Sequence, residues 1–329
     1  MKRRIDIDIL KGILILLVVV GHQAPAPIST VIYWFHMPSF FIISGLLHKE
    51  EVISFGGYAK KKVKSLLIPY VVYCALIVLF IERNPKDFLF DILGGGSRYT
   101  YGVYWFVPAL FITEMVFFLI KKVVEKSNKK VIIIAVLAIA LIVISSLYSF
   151  FFYSNLEGDY TGWSMKYQVP WSLDVCLMSL GYYSLGYVFK KISENDKVKL
   201  LLYIGFSAFL LCIVGGATGF LSYKFDMKTV QYSNWGLNIV LPLCGFAFCF
   251  IIAKWIAQIP GVRTFFSSLG MESMAIMFLH GQFLVLIGKI FKDESKPHWT
   301  ICVVIATLFS FATIKAFRWV KGVLVKRWK

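Results

Sequence analysis

Residues 4–22 read RIDIDILKGILILLVVVGH, an apolar run with a basic residue near its start and an imidazole at its end. In an α-helix, eleven residues complete three turns to within about 20°, so Lys11 and His22 lie on one face, roughly 16 Å apart along the axis. The run is typical of a membrane-embedded helix. Because a titratable side chain is costly inside a bilayer, this pair is a functional-site hypothesis by default.

The composition predicts a polytopic membrane protein. The chain has 329 residues, of which 58% are hydrophobic, and its mean hydropathy is +0.73. The runs 131–153, 200–223 and 235–253 contain no charged residue. Each can span a hydrocarbon core, which takes roughly 20 helical residues. We therefore expect an all-α bundle of about ten transmembrane helices. The expected spans are 8–23, 28–47, 66–82, 103–120, 131–153, 171–189, 200–222, 235–253, 272–290 and 299–317.

The distribution of charge predicts the orientation. The formal net charge is +17, which on a soluble chain would suggest nucleic acid as a partner. If the N-terminus is inside, 24 of the 35 Lys and Arg residues fall on the inner side and 8 on the outer side. The inner segments are 1–8, 48–65, 121–130, 190–199, 254–271 and 318–329, and the outer loops are 82–103, 151–170, 222–233 and 291–298. This positive-inside bias places both termini in the cytoplasm and predicts contact with membrane lipids, not with nucleic acid.

One domain is expected over residues 1–329, because no linker, low-complexity tract or repeat interrupts the chain. The six cysteines all lie in apolar spans and lack metal-type spacing, so we expect neither disulfides nor a metal centre. Any chemistry must then reside between helices or in their short loops.

Two early histidines are candidate catalytic residues. Adjacent antiparallel helices can bring His36, early in the second span, close to His22. Histidine suits general-base work because its unperturbed pKa lies near neutral. Asp8 lies three residues before Lys11 and can pair with it on the adjoining turn. The alternative for His22 is a hydrogen-bonded interface residue, and the alternative for His36 is a place in a kinked, tightly packed helix.

An acid lies in the middle of the fourth span. Glu114 is the only acidic residue in 104–120. It can orient a histidine, pair with a lysine or accept a substrate hydroxyl. His280 lies well inside the ninth span, as either a buried polar bridge or part of the site.

The densest basic cluster precedes LLIPY at 66–70 and consists of Lys60, Lys61, Lys62 and Lys64. The favoured interpretation is a positive-inside anchor. The alternative is a patch that binds the phosphates of an anionic cofactor, with each lysine acting as a point charge.

Taken in order, these motifs resemble the acyltransferase-3 family of integral membrane O-acyltransferases. The motifs are Asp8-x2-Lys11-Gly12, Lys11-x10-His22, FHMPxFFxxSG at 35–45, the basic run before LLIPY, WFxxALF at 105–111 and SxxIMFLH at 273–280. The pattern is similar to the branch named for fucose 4-O-acetylase, which modifies surface polysaccharides. The resemblance runs from about residue 4 to 317, and the first 70 residues are its specific part.

The resemblance implies a reaction. In this family the histidine of the basic-x10-His motif is regarded as catalytic, and acyl groups come from acyl-CoA on the cytoplasmic side. The chain would then be a stand-alone O-acetyltransferase of a bacterial plasma membrane. Acetyl-CoA would be the donor, a carbohydrate or glycolipid hydroxyl the acceptor, and no metal would take part. Direct transfer and transfer through an acyl-enzyme intermediate are both open.

The resemblance assigns the catalytic role to His22. Combined with the candidates that the residues themselves indicate, the predicted catalytic residues are His22, Glu114 and His36, and the predicted donor-binding residues are Lys11, Lys61, Lys62 and Lys64. His22, oriented by Glu114, would deprotonate the sugar hydroxyl. Lys11 stands where many members carry arginine, which keeps the charge but loses the bidentate fork.

A transporter or flippase for a glycolipid or small solute is the competing class, with His22, His36 and Glu114 as a proton relay. Transporters often show internal repeats or paired broken helices, and neither is clear in this sequence. A homo-oligomer is compatible with either class. Acetyl-CoA-dependent O-acetylation of a glycan would separate the two.

Overall fold

The computed structural model describes residues 4–50, 53–77, 92, 104–153, 169–291 and 298–327. Most of this backbone is helical, which confirms the predicted class. The end of the predicted third span, at 78–82, lies outside the described residues, as do most of the predicted outer loops 82–103 and 151–170.

The helices follow one another with short connections. Up to residue 192 they are α1 (Ile5–Gly21), α2 (Ile28–Tyr33), α3 (His36–Leu46), α4 (Phe55–Lys62), α5 (Ile68–Ile77), α6 (Phe106–Val124), α7 (Lys130–Tyr153) and α8 (Cys176–Ile192). A π-helical turn at Val63–Leu67 joins α4 to α5, and a 3-10 turn at Pro170–Val175 leads into α8. The later helices are α9 (Asp196–Ala217), α10 (Leu237–Ile256), α11 (Pro260–Met271), α12 (Ser273–Ile290) and α13 (Trp299–Arg327).

Several of these helices suit a lipid environment. Within the described residues, six segments are long and apolar enough to cross a membrane: Ile28–Leu46, Lys130–Phe151, Asp196–Ala217, Leu237–Ile256, Ser273–Ile290 and Trp299–Ala316. On α9, Leu201 and Leu211 are 62% and 74% exposed. A long apolar surface of this kind is stable against lipid and not against water. The chain is a multi-pass membrane protein, while the count of about ten spans and the cytoplasmic termini stay predictions.

Contacts within the chain define two compact units. The first combines the residues up to Ile32 with those from Phe248 onward, and the second runs from Tyr33 to Ala247. The expectation of one domain over 1–329 stays a prediction.

In the first unit, α1 packs against α11 with backbone touching backbone. A Cβ atom on Gly12 would lie 2.0 Å from the carbonyl oxygen of Phe266, and one on Gly270 would lie 1.7 Å from that of Asp8. Only glycine permits this approach. The predicted inner segment 254–271 thus contains a helix. Pro260, with its fixed φ, begins a helix there, and the twelve residues of that helix are too few to span a bilayer.

In the second unit, α3 crosses α8 through a similar contact. A Cβ on Gly45 would lie 1.9 Å from the carbonyl oxygen of Tyr183, and one on Gly186 would lie 2.0 Å from that of Ile42. Small residues on both helices bring the two backbones together. This crossing fixes the end of α3, and the residues that follow it, against α8.

A small hairpin departs from the all-α class. Strands β1 (Phe225–Asp226) and β2 (Gln231–Tyr232) pair antiparallel. The Ser149 hydroxyl on α7 donates to the carbonyl of Val230 at 2.7 Å and accepts from the amide of Tyr232 at 3.1 Å. The hairpin is thus hydrogen-bonded to a helix of the second unit.

Candidate functional site

Two histidines of the first unit lie ring against ring. His22 is the C-cap of α1 and is exposed. His280 is the eighth residue of α12 and is 0% exposed. Their ring centroids are 5.4 Å apart, and the ring planes are tilted by 34°. A substrate can therefore reach the His22 ring, whereas the neighbouring His280 ring is enclosed by protein.

The hydrogen bonds of His280 fix its tautomer. Its Nδ1 lies 3.0 Å from the carbonyl oxygen of Ile276. Because a carbonyl only accepts, Nδ1 carries the hydrogen, and in the neutral ring Nε2 presents a lone pair. No group among the described residues donates to Nε2. A buried acceptor without a donor costs about 1–3 kcal/mol, so an apolar residue would serve packing better at this position.

Lys11 and Asp8 form an ion pair on α1, as their spacing predicts. The Lys11 Nζ lies 2.9 Å from an Asp8 carboxylate oxygen. The Lys11 side chain is 24% exposed and that of Asp8 is 13% exposed. The Asp8 carboxylate offsets the loss of hydration of the partly buried Lys11 ammonium. The role of Lys11 toward a donor stays a prediction.

His36 belongs to the second unit, where it begins α3. It is 4% exposed, and the ring of Tyr33 meets it edge-on at 5.1 Å. The predicted approach of His36 to His22 stays a prediction.

Glu114 and Lys62, which the sequence assigned to different roles, bind each other in the second unit. The Lys62 Nζ lies 2.6 Å from Glu114 Oε1. Glu114 is 4% exposed, and the Lys62 ammonium also lies 5.4 Å from the ring centre of Tyr58. Of the three options for Glu114, the geometry confirms pairing with a lysine. No described residue bonds to Glu114 Oε2, so this oxygen keeps an unused acceptor.

The pairing divides the basic cluster that precedes LLIPY. Lys62 turns into the helix bundle, whereas Lys60, Lys61 and Lys64 are exposed. Lys60, Lys61 and Lys64 lie at the surface, where an external anion can reach them, and Lys62 pairs with Glu114.

A second polar cluster, which the sequence did not indicate, surrounds His48 just after α3. His48 is 4% exposed, and its Nδ1 lies 2.9 Å from the Tyr183 hydroxyl. Its backbone carbonyl accepts a hydrogen bond from Lys190. Burial, together with the charges of Lys121, Lys62 and Lys190, lowers the pKa of His48 to about 4, and Glu50 opposes this shift.

Glu50 connects the same region to the end of α8. Its carboxylate forms an ion pair with Lys191 and accepts a hydrogen bond from the Tyr187 hydroxyl at 3.2 Å. The hydrogen bond from Lys191 lowers the pKa of Glu50 below its usual value. Burial lowers the pKa of Lys190, and the nearby charges of Lys191 and Lys121 add to that effect. No sequence periodicity links these residues, because the α3–α8 crossing alone brings them together.

Metal-binding side chains do not cluster in the described part of the chain: no three His, Cys, Asp or Glu residues converge there as an ion would require. Neither Cys249 nor Cys302, both buried, forms a disulfide with another described residue.

Comparison with known proteins gives a family match over nearly the whole chain. A family model described as an acyltransferase domain matches residues 4–315. The chain is 33% identical over 132 residues to nodulation protein NolL of Mesorhizobium japonicum, and 34% identical over 140 residues to nodulation protein NolL of Sinorhizobium fredii. These alignments cover 34% and 37% of this chain and the same shares of the two relatives, so the chain matches about a third of their length. No solved structure matches it.

Proposed function

The chain belongs to the acyltransferase-3 family, as its motifs predict, and we propose that it is a membrane-bound O-acyltransferase. The donor is acetyl-CoA or another acyl-CoA, and the acceptor is a hydroxyl of a cell-surface or lipid-linked sugar. We place it in the plasma membrane of a bacterium. The observation that carries the proposal is the pair of histidines, an exposed His22 against a buried His280.

His22 is the base in this proposal. Its ring nitrogen takes the proton as the O–H bond of the acceptor breaks. The acceptor oxygen then bonds to the thioester carbonyl carbon, the carbon–sulfur bond breaks, and the departing thiolate takes the proton from His22. An imidazole suits both steps because its pKa lies near the working pH.

Exposed lysines are the proposed binding residues for the acyl-CoA donor. We propose that Lys61 and Lys64 contact the phosphates of the acyl-CoA, with Lys11 as a further cation for the donor. Lys62 lies in the same basic run and fixes that run to α6 through its ion pair with Glu114, at 2.6 Å. Glu114 therefore takes the role of a structural partner for Lys62. His36, held against Tyr33, stays a candidate on the acceptor side.

The family match favours this class over a transporter, and a direct assay tests it. Purified full-length protein in lipid nanodiscs is incubated with radiolabelled acetyl-CoA and a panel of sugar acceptors. The wild type should label at least one acceptor. His22→Ala should lower the rate by at least about 100-fold, the usual effect of losing a general base.

The matched control is His298→Ala. His298 lies in the same unit and is exposed, with Nδ1 3.0 Å from the Thr300 hydroxyl. This variant should keep the wild-type rate. Thermal unfolding must show that both variants are folded. A folded His22→Ala protein that transfers acetyl groups at the wild-type rate would remove His22 from the reaction.

A further inference from the structure

His280 has properties that core packing does not explain. Its ring is completely buried, its Nδ1–H is committed to the Ile276 carbonyl at 3.0 Å, and its Nε2 has no donor among the described residues. The backbone bond holds the ring in one tautomer and one orientation. A fixed imidazole with an unused lone pair is what stabilises a neighbouring positive charge.

The neighbour of His280 is the ring that the proposed reaction charges. His22 lies 5.4 Å away, centre to centre, with a 34° tilt. The two rings differ in access, because His22 is exposed and His280 Nε2 is sealed from solvent. A substrate can therefore reach His22, whereas His280 can act only through His22.

Other charges on this unit lie further along the helices or have partners of their own. Glu272, the N-cap of α12, and Lys289 near its end are eight and nine residues from His280, so they lie about 12 Å or more away along the axis. On α1, Lys11 is paired with Asp8, eleven residues before His22. On α10 and α13, Lys254 and Lys315 lie over the rings of Phe250 and Phe311 at 4.9 and 5.2 Å. Arg263 is the charged residue of α11.

We propose that His280 is a positioning residue for His22: it holds the His22 ring in place and stabilises the positive charge that this ring carries while it holds the acceptor's proton. The inference rests on the proposed function, since it gives His280 a task only if His22 takes a proton. His22 then returns that proton to the departing thiolate, and His280 keeps its own hydrogen on Nδ1 throughout.

Two substitutions separate the two nitrogens of His280. Asparagine places its amide near the Nδ1 position and can still donate to the Ile276 carbonyl, but it leaves nothing at the Nε2 position. Glutamine reaches the Nε2 position with an amide oxygen that can accept. The two side chains are similar in polarity, so a general loss of packing affects both.

The readout is the rate of acetyl transfer at saturating substrates, measured from pH 5 to 9. The rate falls at acid pH because protonated His22 cannot accept a proton. His280→Asn removes a stabiliser of that protonated ring. The fall in rate on the acid side of the pH–rate profile, the acid limb, should therefore move about one pH unit lower, and the maximal rate should fall about tenfold. His280→Gln should keep the wild-type limb and lose about threefold in rate. His298→Asn, outside the site, should match the wild type.

The outcomes are distinct. Equal acid limbs for His280→Asn, His280→Gln and the wild type would overturn the role of His280, even if all rates fall. If the asparagine variant does not fold, an acid limb in His280→Gln that moves as far as one pH unit would overturn it as well. The activity of His22→Ala tests the proposed function separately. If His22→Ala is inactive and the acid limb of both His280 variants matches the wild type, only the role of His280 is overturned.

Discussion

His280 and His48 are both buried histidines, one in each unit, and their surroundings are opposite. His48 is enclosed by polar partners, with Tyr183 at Nδ1, Lys190 at its carbonyl and several lysines nearby. His280 has one backbone bond, an unpartnered Nε2 and a second imidazole as its neighbour. A satisfied buried histidine stabilises a fold, whereas an unsatisfied one costs stability that only a function explains.

The same distinction applies to the lysines. Lys62 is held at 2.6 Å by Glu114, and Lys61 and Lys64 of the same run are exposed. Membership of a basic run therefore does not fix a role. The contacts of each side chain decide whether it serves the fold or a ligand.

The largest stability effect should come from the pH dependence of His48. Its pKa is about 4 in the folded protein and about 6.5 when unfolded. The contribution of neutral His48 is complete above pH 6.5. It is lost as pH falls toward 4, because the unfolded chain then binds a proton that the folded chain excludes. The loss is at most about 3 kcal/mol, of which about 2 kcal/mol falls between pH 7.5 and 5.

Thermal unfolding in detergent between pH 7.5 and 5 measures this loss. The range stays above the window in which Glu50 titrates, since the pKa of Glu50 is lowered from 4.5. A His48→Phe variant should show a shallower decline than the wild type, and His298→Phe should not. If wild type and His48→Phe decline in parallel, His48 is not the enclosed, neutral group described above.

The next effect concerns the Lys62–Glu114 pair. Lys62→Met leaves a buried carboxylate without a counter-charge and should destabilise the protein by about 2 kcal/mol, less than a fully buried pair because Lys62 is partly solvated. Glu114→Gln should cost less, since the freed ammonium can reach water. The double variant should be more stable than Lys62→Met alone.

A double-mutant cycle on unfolding temperature measures this coupling. Lys64→Met, an exposed lysine of the same run, is the matched control and should change stability little. Additive effects of the two substitutions would mean that the ion pair contributes nothing, and Glu114 would again be available to orient a histidine.

Local features of this fold follow from the sequence, and contacts between distant residues do not. The uncharged runs predict α7, α9 and α10, and the three-residue spacing predicts the Lys11–Asp8 pair, because a helix sets both by its own geometry. Lys62 and Glu114 are 52 residues apart, and His22 and His280 are separated by most of the chain. Tertiary packing brings such residues together; the close contacts at Gly12, Gly270 and Gly45 account for the meeting of α1 with α11 and of α3 with α8. The sequence does not predict α11, because its twelve residues mix polar and apolar side chains over a length too short for a span.

The smallest effect concerns the exposed Lys61 and Lys64 and their proposed contact with the acyl donor. The double variant Lys61→Ala/Lys64→Ala should raise the KM for acetyl-CoA about fivefold, or about 1 kcal/mol, and leave kcat and the unfolding temperature unchanged. The effect is modest because the proposed contact of each lysine with phosphate is solvated. The matched control is Lys126→Ala/Lys129→Ala, two exposed lysines of another predicted inner segment, which should leave KM unchanged. Equal KM values for the two double variants would return Lys61 and Lys64 to the membrane-anchor interpretation. Omitting anionic lipid from the nanodiscs distinguishes the two interpretations further, because it should alter an anchor and leave a donor-phosphate contact intact.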